Sequence, residues 1–574
     1  MRSSSFSIFF HHRLLLLLLL FCWPSLLQSF PLRPPPPPRT TGVVVSRLHA
    51  AIDLAEEVTT TTTTDSETDT DTNTNNDDDW IQDAIEKNDV VIATPTTTST
   101  TTTTTPVIRD LDGNPLTTDW LQQAMGLKKN KQVLSYSCPD DTVFRGLMSD
   151  ACRIQLETTT TTNDDDDTTS ITTPTTTTTT AFYKRICFTD LSHCQEKLRT
   201  APHKLTRDVH SYHVVAQWLQ SAACRRLCET TQQQQQLQIP QCYHAELRPN
   251  TENPMESAFS FLLQDFSPDQ GWYQQWLLDD PAHTEAALRT FATLHAFGWT
   301  GATWQTEDPA AATQLHDAIW PSGSYVQPTA QNTPTVDQCA IVAEEWERKK
   351  QKFAAELSHY PWWDTLGERL QSVATECGRL AHPFAPSTSD PTKTAADTVL
   401  LHQQYAKYKT ITHGDPKQAN LLFQRQQDDT SLHVGLIDFQ WTGFGLAATD
   451  LAHCMTSSIH ADQLVDGGEE RLLHYYYYEQ LVPLLVEYGA YASAQDVYDD
   501  YPYATMLEQY EIAVLDIARL MIAYTWNRFD EPVTRDDPAA CARTMNKTSY
   551  NKSIPNIVWL LNRCDEILTR QWGV

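Results

Sequence analysis

Apolar residues recur along the chain with two different periods, and the change from one to the other divides the folded part in two. Alternation of apolar and polar residues predicts β-strands at 132–137, 151–156, 181–186, 243–247 and 260–265. Recurrence about every 3.6 residues predicts helices at 204–227, 284–297, 341–357, 365–380, 471–488 and 505–526. Strands first and helices later predict an α+β fold, with a small β-rich lobe over 115–270 and a large α-helical lobe over 271–574.

Stretches rich in threonine, proline and aspartate interrupt this pattern. Residues 31–114 have no hydrophobic periodicity and too little apolar surface to offset the entropy of ordering, so we expect a disordered targeting region there. Two further runs, at 157–180 and 230–238, fall inside the folded part. Because such runs survive within a domain only at its surface, each is predicted to be a loop that joins two elements of secondary structure.

The first 30 residues have the pattern of a signal peptide, since Arg2 and the basic group 11–13 precede an apolar run at 14–20. The stretch that follows is basic, and its first acidic residue is Asp53. This order resembles the two-part leader of algae with secondary plastids, in which a phenylalanine such as Phe30 follows the cleavage point. Two destinations therefore stay open, namely such a plastid and the secretory pathway through the endoplasmic reticulum.

The chain is strongly acidic, with a formal net charge of −30 over 574 residues. An acidic surface repels phosphate backbones, so nucleic acid is not an expected partner. The 13 cysteines are scattered without metal-binding pairs, and we expect reduced thiols with structural roles. Beyond the leader no segment is apolar enough to cross a bilayer, so no stable membrane anchor is expected. These features do not predict an oligomeric state.

Two short segments in the C-terminal half carry residues suited to phosphoryl transfer. The first is 411–423, which reads Ile-Thr-His-Gly-Asp-Pro-Lys-Gln-Ala-Asn-Leu-Leu-Phe, and the second is 436–440, which reads Leu-Ile-Asp-Phe-Gln. Phosphoryl transfer needs a carboxylate that orients and deprotonates the attacking hydroxyl, and oxygen ligands for Mg²⁺ on the phosphates. The two segments together supply that set.

Within these segments each polar residue has a candidate role. The candidate catalytic residues are His413, Asp415 and Lys417. Asp415 is the candidate base, and Lys417 is a cation able to reach the γ-phosphate in transit. Asn420 and Asp438 are the candidate ligands of Mg²⁺. The alternative is an ordinary turn with a helix-capping aspartate, but that leaves the asparagine five residues after the base unexplained.

These motifs resemble the ecdysteroid-kinase-like (CHK-kinase-like) family, which belongs with the aminoglycoside phosphotransferases and choline kinases. The resemblance is carried by 413–423, by 437–445 (Ile-Asp-Phe-Gln-Trp-Thr-Gly-Phe-Gly) and by Asp450-Leu-Ala, and it extends over roughly 116–574. It implies a two-lobed protein-kinase-like fold and transfer of the γ-phosphate of ATP to a hydroxyl of a small molecule.

The same resemblance implies two further roles. Lys184, at the end of an apolar strand, would bind the α- and β-phosphates of ATP. Asp450 would support the catalytic loop through its backbone and through His413. The plain alternatives are an exposed lysine at a strand end and an aspartate that caps a helix.

The chain departs from the family pattern at two places. The family's glutamate that pairs with the lysine stands three residues before an aromatic residue, and counting back from Trp218 gives Val215. Asp208 lies two turns earlier on the same helix, with a shorter side chain. The nucleotide loop is poor in glycine and contains only Gly146. These departures put the affinity for the nucleotide and the rate of phosphoryl transfer in question, while the set of Asp415, Asn420 and Asp438 is complete.

Three functions stay open. The leading hypothesis is an ATP- and Mg²⁺-dependent kinase acting on a small alcohol, sterol, amino alcohol or sugar-like acceptor. The second is a nucleotide-binding pseudokinase that acts as an interaction scaffold, and the third is an acidic secreted binding protein. Aromatic residues crowd the C-terminal half, where they could form a cage for a quaternary ammonium group or simply the core.

Overall fold

The computed structural model describes residues 108–128, 130–139, 143–145, 149–160, 175–200, 202–234, 237–324, 333–386, 394–425, 432–528 and 553–574. The predicted signal peptide, the predicted targeting region up to residue 107 and Gly146 of the nucleotide loop lie outside the described residues.

An antiparallel sheet forms the N-terminal lobe. The elements of this lobe are α1 (Thr118–Ala124), β1 (Lys131–Ser137), β2 (Val143–Arg145), β3 (Asp150–Thr160), β4 (Thr175–Cys187), α2 (Ser192–Thr200), α3 (Pro202–Gln220), α4 (Ala222–Gln234), β5 (Leu237–Gln238), β6 (Cys242–Arg248) and β7 (Ala258–Gln264). The strands lie in the order β1-β3-β4-β7-β6 with every pair antiparallel, and β2 pairs with β3.

The C-terminal lobe is mostly helical. Its helices are α5 (Pro281–Gly298), α6 (Thr303–Glu307), α7 (Pro309–Ala318), α8 (Thr333–Leu357), α9 (Leu366–Ala381), α10 (Ala395–Tyr405), α11 (Ala447–Ser458), α12 (Gly468–His474), α13 (Val482–Glu487), α14 (Ala494–Asp500), α15 (Tyr503–Ala523) and α16 (Ile554–Ile567). Its strands are β8 (Trp272–Tyr273), β9 (Thr410–Thr412), β10 (Leu421–Arg425), β11 (Leu432–Leu436) and β12 (Gly443–Gly445). They form a sheet in the order β5-β11-β10-β8 and a separate β9–β12 pair. The predicted α+β, two-lobed fold is confirmed.

Two hydrophobic cores cover the two faces of the N-terminal sheet. The larger core runs from the sheet through α3 and α5 into the helical lobe, and includes Ile186 and Trp218. The smaller core lies on the other face, where Leu121 of α1 packs with Ile154 and Leu262. Because α3 belongs to the larger core, it is held against both the sheet and the helical lobe.

The aromatic residues of the helical lobe belong mainly to this larger core. Trp346, Trp362 and Trp526 are all buried there. Of the two alternatives left open by the sequence, these three therefore fit core packing better than an exposed cage.

The ordered fold begins earlier than the boundary at residue 115 that composition predicts. Residues 108–114 lie on the sheet, where the main-chain oxygens of Arg109 and Asp110 accept hydrogen bonds from the side chains of Tyr183 and Arg185. Composition missed this segment because its order comes from contacts with distant strands and not from its own apolar residues.

Two predicted helices are interrupted. The helix predicted at 204–227 is two helices, α3 and α4, because the Ser221 hydroxyl accepts a hydrogen bond from the Cys224 amide and so caps the second helix. The helix predicted at 471–488 contains a π-helical segment, Tyr475–Leu481, between α12 and α13. That segment turns Tyr476 and Tyr477 into the core.

Both low-complexity runs extend regular structure instead of forming loops alone. The pairing of β3 with β4 continues through Glu157↔Thr178 to Thr160↔Thr175, and the buried Thr158 hydroxyl lies 3.0 Å from that of Thr177. The glutamine run continues α4 as far as Gln234. Threonine favours strands and glutamine favours helices, so the repeats add to the elements beside them.

No helix in the described residues is long and apolar enough to cross a membrane. No disulfide joins the cysteines of the same segments.

The register of β3 and β4 generates a prediction. Replacing residues 161–174 by Asn-Gly should change the melting temperature by no more than about 3 °C, because a two-residue turn can join the paired Thr160 and Thr175. The control replaces 158–177 in the same way and should lower the melting temperature clearly, since it removes the buried Thr158 and the pairs beyond Glu157. Equal melting temperatures for the two variants, measured by calorimetry, would contradict the register.

Candidate active site

The catalytic loop begins where β9 ends. β9 pairs with β12, and the loop turns sharply at Gly414, whose φ is +81°. A Cβ atom at this position would lie 2.1 Å from the main-chain oxygen of Trp441. Only glycine fits here, because the residue needs both a left-handed conformation and a close approach to another backbone.

A buried carboxylate fixes this loop from behind. Asp450, on α11, accepts hydrogen bonds from the amides of His413 at 2.6 Å and Gly414 at 3.0 Å. Its Oδ2 atom also lies 3.2 Å from Nε2 of His295, whose Nδ1 is 2.7 Å from the hydroxyl of Tyr476. Burial would raise the pKa of Asp450, but the hydrogen bond and charge of His295 outweigh it and lower the pKa. This is the support that the resemblance implies for Asp450.

His413 joins the catalytic loop to the loop that contains Asp438. Its Nε2 atom is 2.9 Å from the main-chain oxygen of Ile437, and its Nδ1 atom accepts a 3.3 Å hydrogen bond from the Asp415 amide. The Nε2 nitrogen therefore carries the proton, and both nitrogens are committed to backbone groups. This geometry suits positioning of the two loops more than contact with the reacting atoms.

The two carboxylate oxygens of Asp415 have different surroundings. Oδ2 is 2.8 Å from Nζ of Lys417 and accepts a 3.2 Å hydrogen bond from Nδ2 of Asn420. Oδ1 is buried and has no hydrogen-bond partner among the described residues, and Nε2 of His453 lies 3.8 Å from it. Burial would raise the pKa of Asp415, but the charge of Lys417 outweighs it, so the pKa is lowered and the carboxylate is ionised near neutral pH.

Asn420 and Asp438 lie at the same end of the β10–β11 hairpin. Leu421 pairs with Leu436, and the next residues outward are linked by a hydrogen bond from the Ile437 amide to the Asn420 main-chain oxygen. Nδ2 of Asn420 donates a 2.8 Å hydrogen bond to the main-chain oxygen of Asp415, which leaves the side-chain amide oxygen as the atom able to bind a cation. Asp438 has a positive φ of 65°, and its buried Oδ1 atom accepts no hydrogen bond from the described residues.

These two residues fit a divalent cation. An orphaned buried carboxylate oxygen and an amide oxygen are ligands that Mg²⁺ prefers. No group of three or more His, Cys, Asp or Glu side chains suited to a metal occurs in the described part of the chain. A cation here would therefore need further oxygen ligands, such as those of phosphate groups.

Lys184 approaches the same point from the N-terminal lobe. Its Nζ atom lies 4.0 Å from Oδ1 of Asp438 and 5.6 Å from the ring centroid of Tyr212 on α3. Asp208 is buried and its carboxylate bonds the ammonium of Lys197 instead. Val215 belongs to the hydrophobic core. Neither position considered from the sequence as the partner of Lys184 therefore supplies one.

Three residues of the site were not singled out from the sequence, namely His295, His453 and Tyr212. His453 follows Asp450 by three residues on α11, a helical spacing that places both on one face. That spacing could have suggested His453 as a neighbour of the catalytic loop. His295 and Tyr212 gave no such signal, because their contacts are with residues far away in the chain.

The chain was compared with known proteins. A model of the ecdysteroid kinase-like family matches residues 146–489, which is more than half of the 574 residues. The chain belongs to the ecdysteroid kinase-like family. The resemblance seen in the motifs is thereby confirmed, and all six predicted site residues fall inside the matched span. Membership of this kinase-like family supports a small-molecule phosphotransferase as the class of protein.

Solved structures of two kinases align with the chain at low similarity. One is a microcompartment-associated aminopropanol kinase, at 10% identity, with a TM-score of 0.27 and coverage of 79% of this chain and 97% of the other. The second is an aminoglycoside phosphotransferase from Alicyclobacillus acidocaldarius, at 12% identity, with a TM-score of 0.27 and coverage of 76% and 92%. A search of curated proteins found no match. At this similarity neither structure bears on details of the site.

The contact at Gly414 generates a prediction with a matched control. Gly414→Ala should lower the free energy of unfolding by roughly 3 kcal/mol or more, because it adds a backbone clash to the left-handed conformation. Gly113→Ala should cost only about 1 kcal/mol, since Gly113 has the same φ of +81° with nothing within 4 Å. Urea unfolding of both variants is the measurement, and equal losses would show that the loop yields at Trp441.

His453 generates a prediction about stability and pH. Burial, the largest effect, lowers its pKa from 6.5 to about 4 against the opposing charges of Asp415 and Asp450. The folded protein therefore binds this proton less readily than the unfolded chain. The free energy of unfolding therefore contains its full contribution from neutral His453 above about pH 6.5, and that contribution is lost as the pH falls toward 4.

Between pH 7 and pH 5 the free energy of unfolding should fall by roughly 2 kcal/mol more in the wild type than in His453→Gln. Urea unfolding at the two pH values measures both proteins, and the difference between them removes the contribution of every other group. The same pH dependence in both proteins would mean that His453 titrates normally in the folded state.

Proposed function

We propose that this protein is an ATP-dependent small-molecule kinase that transfers the γ-phosphate to a hydroxyl of its acceptor. The observation that carries the proposal is the divided environment of Asp415. The carboxylate is ionised, and its Oδ2 atom is held by Lys417 and Asn420. Its Oδ1 atom is buried and has no hydrogen-bond donor among the described residues. An unpaired buried carboxylate oxygen is costly in a structural role, but it is what a base needs to receive a substrate proton.

The acceptor hydroxyl would bind at Oδ1 of Asp415. The hydroxyl would donate a hydrogen bond to Oδ1 of Asp415. Nε2 of His453 lies 3.8 Å from the same Oδ1, so the hydroxyl oxygen could accept a hydrogen bond from His453. In the transfer the hydroxyl oxygen bonds the γ-phosphorus as the bond from phosphorus to the β–γ bridging oxygen breaks. The proton passes to Asp415, and Lys417 can offset negative charge on the phosphoryl oxygens.

Asn420 and Asp438 would hold Mg²⁺, and Lys184 would bind the α- and β-phosphates. A bound divalent cation supplies positive charge that neutralises the phosphate oxygens and the leaving group. What supports this role is the orphaned Oδ1 of Asp438 and its distance of 4.0 Å from the Lys184 ammonium. A cation on one side and a lysine on the other would let Asp438 hold both near the same phosphates.

The acceptor classes suggested by the sequence remain proposals, namely a small alcohol, a sterol, an amino alcohol or a sugar. The second candidate function is a nucleotide-binding pseudokinase. The observation that favours it is that no glutamate or aspartate of the described part of α3 pairs with Lys184. The retained set of Asp415, Asn420 and Asp438 favours the kinase.

The test is ATP turnover with a panel of alcohols, sterols, amino alcohols and sugars, with and without Mg²⁺. Asp415→Asn should lower kcat by a factor of about 10³ or more and leave the Kd of MgATP nearly unchanged, because the base acts at the transition state. Glu511→Gln is the control, since Glu511 is an equally buried acid whose carboxylate instead accepts hydrogen bonds from Arg563 and Arg570.

Turnover that survives in Asp415→Asn would contradict the kinase mechanism. MgATP binding without turnover of any acceptor would favour the pseudokinase. The two variants differ in the acid they remove but not in the kind of change, so a loss shared by both would report damage to the fold.

A further inference from the structure

Lys184 lies on the middle strand of the N-terminal sheet. It is on β4, between Ala151 of β3 and Phe261 of β7, and its side chain leaves the sheet toward α3. There its ammonium lies 5.6 Å from the centroid of the Tyr212 ring, within the range of a cation–π contact. The carboxylate of Asp438 is the charged neighbour, at 4.0 Å.

Tyr212 is held firmly by its surroundings. Its side chain is buried and packs against the rings of Phe259, at 5.4 Å, and Phe188, at 6.3 Å. Asp208 and Asp438 are the negative charges nearest to its hydroxyl. Burial raises the pKa of the phenol well above its usual value, so the ring is neutral at any physiological pH.

We propose that Tyr212 is the positioning residue of Lys184 in this protein. The ring fixes the ammonium by a cation–π contact on the side of α3, opposite the sheet from which Lys184 projects. The inference rests on the proposed function, since it concerns a lysine that binds ATP phosphates. It gives Lys184 a partner one helical turn before Val215, the position at which the family pattern expects a glutamate.

The replacement has an electrostatic consequence. A glutamate beside the lysine would cancel its charge, whereas a neutral ring leaves the full positive charge facing the phosphates. Asp438 balances that charge, and a cation bound to Asp438 would free Lys184 for the nucleotide. The ring restricts the direction of a long flexible side chain, which lowers the entropy lost when the phosphates bind.

The experiment measures the Kd of MgATP by calorimetry in the full-length protein. Tyr212→Met keeps much of the volume but removes the aromatic face, and we expect affinity to fall about 10-fold. Tyr212→Phe keeps the face and should retain most of the affinity. Phe188→Met is the matched control, because Phe188 is a buried ring that contacts Tyr212, and it should bind MgATP like the wild type.

A double-mutant cycle separates positioning from general damage. If Tyr212 acts through Lys184, adding Tyr212→Met to Lys184→Met should cause no further loss of affinity. Additive losses, or equal losses in Tyr212→Met and Phe188→Met, would overturn the inference. Failure of the wild type to bind MgATP would instead contradict the proposed function.

If Tyr212→Met does not fold, a trifluorinated phenylalanine at position 212 provides the second variant. It keeps the shape of phenylalanine but weakens the negative face of the ring, so affinity should fall relative to Tyr212→Phe. Equal affinity of these two rings would show that the face does not hold the ammonium. Thermal melts of both proteins establish that they are folded alike.

Discussion

Two backbone amides of the catalytic loop, those of His413 and Gly414, donate to the single carboxylate of Asp450. This contact has its own support, because His295 of α5 and, behind it, Tyr476 of the π-helical segment complete the hydrogen bonds of the buried acid. Buried charges are stable only when they are paired, so the network is either complete or costly. The position of Asp415 therefore depends on three helical segments, all of them distant from it in the sequence.

From this fixed loop the remaining groups follow in order. The side chain of His413 bonds the main-chain oxygen of Ile437, and the amide of Ile437 in turn bonds the main-chain oxygen of Asn420. These contacts fix the catalytic loop relative to the end of the hairpin, where Asn420 and Asp438 lie. At the end of that hairpin Asp438 has a left-handed backbone, with a φ of 65°. Strain of this kind persists only where the surroundings impose it, and here it leaves a buried oxygen for a ligand.

From the N-terminal lobe Lys184 reaches the site, and its ammonium lies beside Tyr212 of α3. The same helix carries Trp218, which packs within the core against Phe439 of the loop that contains Asp438, with ring centroids 6.0 Å apart. Movement of α3 would therefore displace both Lys184 and the loop that contains Asp438. In the described structure the two lobes share one hydrophobic core, which favours such coupling.

The sequence by itself determined most of the strands, most of the helices and the family, and it proposed the two segments of candidate catalytic residues that the structure brings together. It could do so because periodicity and motif spacing are local properties, and Asp415 and Asn420 contact each other within five residues of chain.

The predictions from the sequence that were wrong are of one kind. The boundary before residue 115, the break at Ser221 and the strands within the threonine run depend on contacts with other elements. Only the tertiary structure decided that Asp208 bonds Lys197, that Val215 is core and that Tyr212 faces Lys184. Which side chain meets another across a helix and a sheet depends on the rotation and height of the packed helix, and no local pattern contains that information.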